Sequence, residues 1–177
     1  LHLGRVMQEI GLDPAESSVR LMLVGGEPGT GVKNTRDRLQ GLWGATLAEF
    51  YGCTEASPHS GGYSCPASEA ADGTVTTHLM EDIQIWELVH PETNEIVEEG
   101  QKGLTVCTNL NSESSPQLRF LVGDYTTYTT DKCDCGRTHV RAVGSFSGRA
   151  DDLINLRGIK MYPVQIEEAV RSVPGIG

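Results

Sequence analysis

Cys133-Asp134-Cys135 puts two thiols on one tight turn, too close along the chain to bridge each other comfortably. Soft ligands of this kind select zinc over magnesium, and a closed tetrahedral site needs two more. Cys65 and His78 are the best-placed candidates, because both flank a segment with no hydrophobic period of its own. His59 is the substitute for His78, and Cys53 is a further option. Four protein ligands leave no open position, so such a zinc would be structural rather than catalytic. The competing reading is a set of unconnected thiols and an exposed imidazole, since Cys-x-Cys is a weaker signal than two Cys-x-x-Cys pairs.

Four other segments carry residue types suited to chemistry. They are Gly25-Gly26-Glu27-Pro28, Tyr51-Gly52-Cys53-Thr54-Glu55, Arg119 with Gly123-Asp124, and Gly148-Arg149-Ala150-Asp151-Asp152 running on to Asn155-Leu156-Arg157-Gly158. Each alone is ordinary: a Gly-Gly pair after a strand is a turn, and Gly-Asp is a common β-turn. Arg157 and Lys160 read equally as solvated charges, His139 as structural or exposed, and Cys107 as core within an apolar strand.

The elements that must position these residues fall into two styles. Leu3, Val6, Met7 and Ile10 recur at helical spacing and Gly11 follows as a stop. Residues 19–24 predict a strand, 34–40 a polar helix and 45–51 a second strand, which together make an α/β unit with parallel strands. Residues 56–76 are small and polar and read as a long loop. From residue 83 the alternation is of period two, with Ile83, Ile85, Glu87 and Val89 on one face and Gln84, Trp86 and Leu88 on the other. Strands at 103–108, 118–121 and 125–128 then predict an antiparallel β-barrel or meander. A short strand at 153–156 and an amphipathic helix from Pro163 to Val170 close the reading.

Composition narrows the function classes. The 177 residues hold 24 acidic and 14 basic side chains, a formal charge of −10, which disfavours general nucleic-acid binding through phosphate neutralisation. No run approaches the ~20 apolar residues of a membrane span, and the five cysteines without an export signal fit reduced thiols in the cytoplasm. Glycine, at 21 of 177, is about 12% against a usual ~7% and implies turns and close backbone approaches.

Taken together and in this order, the four segments resemble the adenylate-forming superfamily of acyl-CoA synthetases. The tail from Gly148 to Glu168 and Cys133-Asp134-Cys135-Gly136-Arg137-Thr138 look specifically like the phenylacetate–CoA ligase family. The resemblance runs over nearly all of the chain. It implies an α/β fold with a β-barrel-like part, residues 1–148 being the C-terminal part of the AMP-binding domain and 149–177 the hinge and the start of a small α+β domain. It implies activation of an aryl carboxylic acid with ATP and Mg²⁺, then transfer to coenzyme A, the alternatives being another acceptor such as a carrier protein, or a zinc-stabilised non-catalytic fragment.

Residue by residue, the resemblance assigns Gly26, Glu27 and Pro28 to one adenine face and the Tyr51 ring to the other. It brings Gly52 close to the α-phosphate, gives Thr54 a phosphate oxygen, and makes Glu55 the Mg²⁺ ligand. Asp124 accepts both ribose hydroxyls, Arg149 donates to ribose or phosphate, and Asp151 is the hinge. Thr54, Glu55 and Arg149 are the catalytic group. The family's phosphate-gripping loop would lie before residue 1 and its adenylation lysine after residue 177. This chain alone is therefore expected to be inactive, with the residues after Asp151 short of packing partners and a homodimer possible.

Overall fold

The computed structural model describes residues 1–26, 33–69, 74–144, 146, 148–157 and 159–173. Glu27 and Pro28 lie outside the described residues.

The N-terminal third follows the periodicity. Helix α1 (His2–Glu9) ends ahead of Gly11, whose φ is +82°. Strand β1 (Leu21–Val24), helix α2 (Lys33–Trp43) and strand β2 (Thr46–Cys53) form a β-α-β unit, with β1 and β2 paired in parallel from Leu21↔Thr46 to Val24↔Glu49. Helix α2 runs three residues beyond the predicted Gln40. Its end is buried through Trp43, and its Arg36 reaches across to pair with Glu69 at 3.0 Å.

The remaining strands are antiparallel: β3 (Ser57–Glu69), β4 (Val75–Leu79), β5 (Gln84–Val89), β6 (Lys102–Asn109), β7 (Phe120–Thr129) and β8 (Arg141–Val143). With β1 and β2 they make one eight-stranded sheet in the order β1-β2-β3-β4-β8-β7-β6-β5. The meander is therefore present, and the sheet stays open, with β1 and β5 at its edges. A separate hairpin of β9 (Ile154–Leu156) and β10 (Ile159–Met161) leads into α3 (Pro163–Arg171).

Two expectations are corrected. Much of the segment read as a long loop is β3, a 13-residue strand paired on both sides. Its small polar residues have low intrinsic β-propensity, and the pairing comes from its neighbours. Gly62 is needed there: a Cβ would meet the His78 carbonyl and Thr77 Cγ2, each at 2.8 Å. The two strands expected at 118–121 and 125–128 are one, β7, kinked at Gly123 (φ +87°) opposite a register shift between Leu104 and Val106.

The central strands are buried on both faces, with one cluster around Ala56, Cys107 and Val122 and another around Val89, Leu104 and Val106. Leu79, Thr77, Thr105, Cys107 and Ala142 are completely buried. In β5 Gln84 is 1% exposed and Ile85 50%, while at the strand's end Leu88 and Val89, on opposite faces, are both buried. Strands β2 and β7 stand four positions apart in the order, roughly 19 Å at the usual ~4.8 Å strand spacing in a flat sheet. Tyr51 of β2 nevertheless donates to Asp124 of β7 at 2.6 Å, so the sheet curls until its two halves face each other.

Candidate functional site

That curl creates a cleft of about 270 Å³ lined by Gly26, Tyr51, Gly52, Cys53, Asp124, Phe146 and Arg149 among others. Gly26, at φ +86°, follows the end of β1; Tyr51 and Gly52 end β2; Asp124 follows the Gly123 kink in β7. Arg149 arrives from the chain's other end, forming an isolated β-bridge with Asp124 next to the hydrogen bond from Tyr125 N–H to the Gly148 carbonyl at 2.9 Å.

Asp124 is the electrostatic centre. It is 9% exposed, and its Oδ2 accepts from Tyr51 Oη at 2.6 Å while Oδ1 lies 3.9 Å from Arg149. Burial pushes its carboxyl above the ordinary carboxylate value; the Tyr51 hydrogen bond and the Arg149 charge pull it back, and Asp151 and Asp152 push it up. Burial likewise raises the Tyr51 phenol well above 10.0, with Asp124 adding to the shift. The Arg149 guanidinium is forked onto Asp151, at 2.9 Å and 3.2 Å. A half-exposed fork of five donors beside a buried acceptor carboxylate can hold a vicinal diol and an anion together.

Thr54 and Glu55 occupy the next cavity along the same turn. They line it with Gln84, Asn109 and the serines of the loop before β7. The structure thus brings Gly26, Tyr51, Gly52, Asp124 and Arg149 together and sets Thr54 and Glu55 beside them rather than among them.

Phe146 was not anticipated. Its ring stacks on Tyr51 with centroids 3.3 Å apart and planes 11° apart, while Trp86 lies 5.8 Å away on a tilt. The Tyr51 ring, assigned to adenine, thus has one face in contact with Phe146. The available signal was a lone aromatic in the Gly/Ser-rich run Gly144-Ser145-Phe146-Ser147-Gly148.

The second constellation sits at the other end of the sheet's central strands. Cys65 of β3, His78 of β4, and Cys133 and Cys135 of the turn after β7 bring their ligand atoms within 4.8 Å of one another. Cys65 Sγ lies 3.5 Å from His78 Nε2 and 3.7 Å from Cys133 Sγ, and Cys135 Sγ lies 3.4 Å from His78 Nε2. The Arg137 backbone N–H and guanidinium pull the Cys135 thiol down to about 7, whereas burial and the neighbouring thiols push Cys65 up to about 11. His78 is lowered by burial and by Arg137 and Arg141, which keeps it neutral and able to coordinate.

No protein-family model matches the chain. Among curated proteins it is similar to phenylacetate-coenzyme A ligase of Thermus thermophilus, at 34% identity over 98% of this chain and 37% of the relative. It is also similar to the ligase of that name from Pseudomonas putida, at 30% identity over 98% of this chain and 37% of the relative. The chain thus spans little more than a third of the length of these relatives. Among solved structures, 2-hydroxyisobutyryl-CoA ligase in the postadenylation state with 2-HIB-AMP superposes with a TM-score of 0.89, at 32% identity over 98% of this chain and 36% of that one. The same ligase gives 0.81 in an open conformation, with 39% of that chain covered, and 0.78 in the thioesterification state, with 35% covered. Anthranilate CoA ligase shares the fold, with a TM-score of 0.59 at 21% identity over 88% of this chain and 29% of that one.

Proposed function

We propose that this chain, a homologue of the phenylacetate–coenzyme A ligases along 98% of its length, supplies the nucleotide-facing part of an acid–thiol ligase. The reaction is ATP-dependent activation of an aryl carboxylic acid as its acyl-adenylate, followed by thioester formation with coenzyme A. The observation that carries the reading is the Tyr51–Asp124–Arg149 arrangement in the curled cleft.

In this reading the ionised Asp124 accepts both ribose hydroxyls while Tyr51 holds the carboxylate in place. Arg149 swings its fork from Asp151 toward the ribose or the phosphate. Gly26 and Gly52 give flat backbone at the adenine and the α-phosphate. Thr54 and Glu55, next along the turn, serve the phosphate oxygens and a Mg²⁺ ion, whose hard-oxygen preference matches Glu55. These groups position reactants and neutralise charge. Residues 149–177 act as the hinge and the start of the small domain, with Asp151 at the pivot. The lower TM-score against the thioesterification state than against the postadenylation state of one relative supports a segment that reorients.

The thiol cluster holds a structural zinc. A tetrahedral ion with Zn–S bonds of ~2.3 Å and Zn–N bonds of ~2.0–2.1 Å separates its ligands by roughly 3.5–3.8 Å; three of the six ligand-atom separations are 3.4, 3.5 and 3.7 Å, and all six are within 4.8 Å. Three thiols and one neutral imidazole also suit zinc chemically. The ion would tie β3 and β4 to the turn after β7.

The test is to mix the intact enzyme with ATP, Mg²⁺ and a panel of aryl acids and follow pyrophosphate release, then add coenzyme A or a carrier domain. No release with any acid overturns the reading; release followed by transfer only to the carrier redirects it to another acceptor. The 177-residue chain by itself is expected to give no turnover.

A further inference from the structure

Lys102 opens β6 on the face that carries the buried Leu104. The register Lys102↔Thr127 and Leu104↔Tyr125 sets Tyr125 one diagonal step from Lys102 on that face. Its ammonium lies 5.0 Å from the Tyr125 ring centroid and 5.3 Å from that of Tyr162, and the two rings are 6.2 Å apart. Among the described residues Lys102 makes no ion pair, so the rings are its partners.

Tyr162 belongs to the segment after β10, and its ring rests on Gly148. A Cβ at Gly148 would meet Tyr162 Cδ1 at 2.5 Å, and the residue's φ of +131° independently requires glycine. The Gly148 carbonyl in turn accepts from Tyr125 N–H at 2.9 Å. One residue further on each strand come Asp124 and Arg149, joined by the β-bridge. The cation is therefore seated between a ring on β7 and a ring on the C-terminal segment, each adjoining the Asp124–Arg149 pair.

We propose that Lys102 is a positioning residue for the nucleotide cleft: held between the Tyr125 and Tyr162 rings, it latches the segment from Gly148 to Tyr162 onto β7 and so sets the Asp124–Arg149 pair. Its effect on nucleotide rests on the ribose reading of that pair; the latch itself does not. Ring quadrupoles attract a cation within ~6 Å, and losing two such contacts together shifts an opening equilibrium about tenfold.

The experiment is residue-resolved amide exchange on the full-length protein, with AMP affinity measured alongside. In Lys102→Met, exchange at Tyr125 N–H accelerates about tenfold and AMP binds more weakly by a similar factor, while amides of β4 are unmoved. Lys102→Arg, which keeps the cation over the rings, stays within about twofold of the native protein. In a Tyr162→Leu background, Lys102→Met adds nothing further. Unchanged exchange at Tyr125 in Lys102→Met, equal acceleration in β4, or an arginine variant as fast as the methionine one overturns the latch. If the native protein does not bind AMP, the ribose reading falls, and the exchange comparison still decides the latch.

Discussion

Tyr51 Oη donates to Asp124 Oδ2 at 2.6 Å, across four strand positions and seventy-three residues of sequence. One bond therefore reports both the curl of the sheet and the state of the cleft. It holds a buried carboxylate in a fixed direction with one oxygen still turned toward Arg149.

Replacing Tyr51→Phe keeps the stack on Phe146 and removes the donor. Asp124 Oδ2 is left buried without that bond, which costs about 1–3 kcal/mol of stability. A urea midpoint equal to that of the native protein would show that the bond contributes nothing.

If Asp124 accepts the ribose hydroxyls as proposed, stability and nucleotide affinity are expected to depend on pH in opposite senses. Its folded value is raised above 3.8, chiefly by burial. The stability contributed by its neutral form is fully present below the unfolded value and is lost as pH rises through the folded one. Ribose hydroxyls need the carboxylate as acceptor, so AMP affinity falls as pH drops through that same raised value. Asp124→Asn removes this one contribution to the pH dependence of stability, read as the difference between the native and variant curves, and is expected to abolish AMP binding. Thermal midpoints and AMP titrations from about pH 4 to 7 check both slopes; parallel rather than opposed slopes contradict the assignment.

Metal removal should expose an ordered reactivity among the cluster thiols. With the Cys135 thiol near 7 and that of Cys65 near 11, iodoacetamide at neutral pH modifies Cys135 first, because the thiolate is the nucleophile. Added zinc protects both, and the native protein carries one zinc per chain. Equal labelling rates with and without zinc, or metal content far below one, leave the thiols unconnected.

Glu55 and Gly62 separate chemistry from architecture. Glu55→Gln is expected to lower ATP-dependent pyrophosphate release by about 10²-fold or more through loss of the metal's carboxylate, with AMP affinity unchanged. Gly62→Ala drives a methyl into the backbone of β4, 2.8 Å from the His78 carbonyl, and costs about 1–3 kcal/mol. It should weaken zinc retention at the same time, since His78 lies on that strand. An alanine variant with native stability and full zinc would mean that β3 and β4 part without cost.

The β-α-β start, the period-two strands and the amphipathic last helix were legible because each is written locally, in spacings of 3.6 or 2 residues. The grouping of Cys65, His78, Cys133 and Cys135, and that of Tyr51, Asp124 and Arg149 in one cleft, were legible before the structure, the second of them through the family resemblance rather than from the residue types alone. Strand β3 was not legible, because Ser, Gly and Pro have little preference for it and two neighbouring strands supply its hydrogen bonds. Nor was Phe146 on Tyr51, nor the separation of Thr54 and Glu55 into the adjoining cavity. Those relationships depend on how far an eight-stranded sheet curls. That curl is the sum of strand twists, a glycine kink at Gly123 and contacts between residues distant in sequence, and only the assembled tertiary structure adds them up.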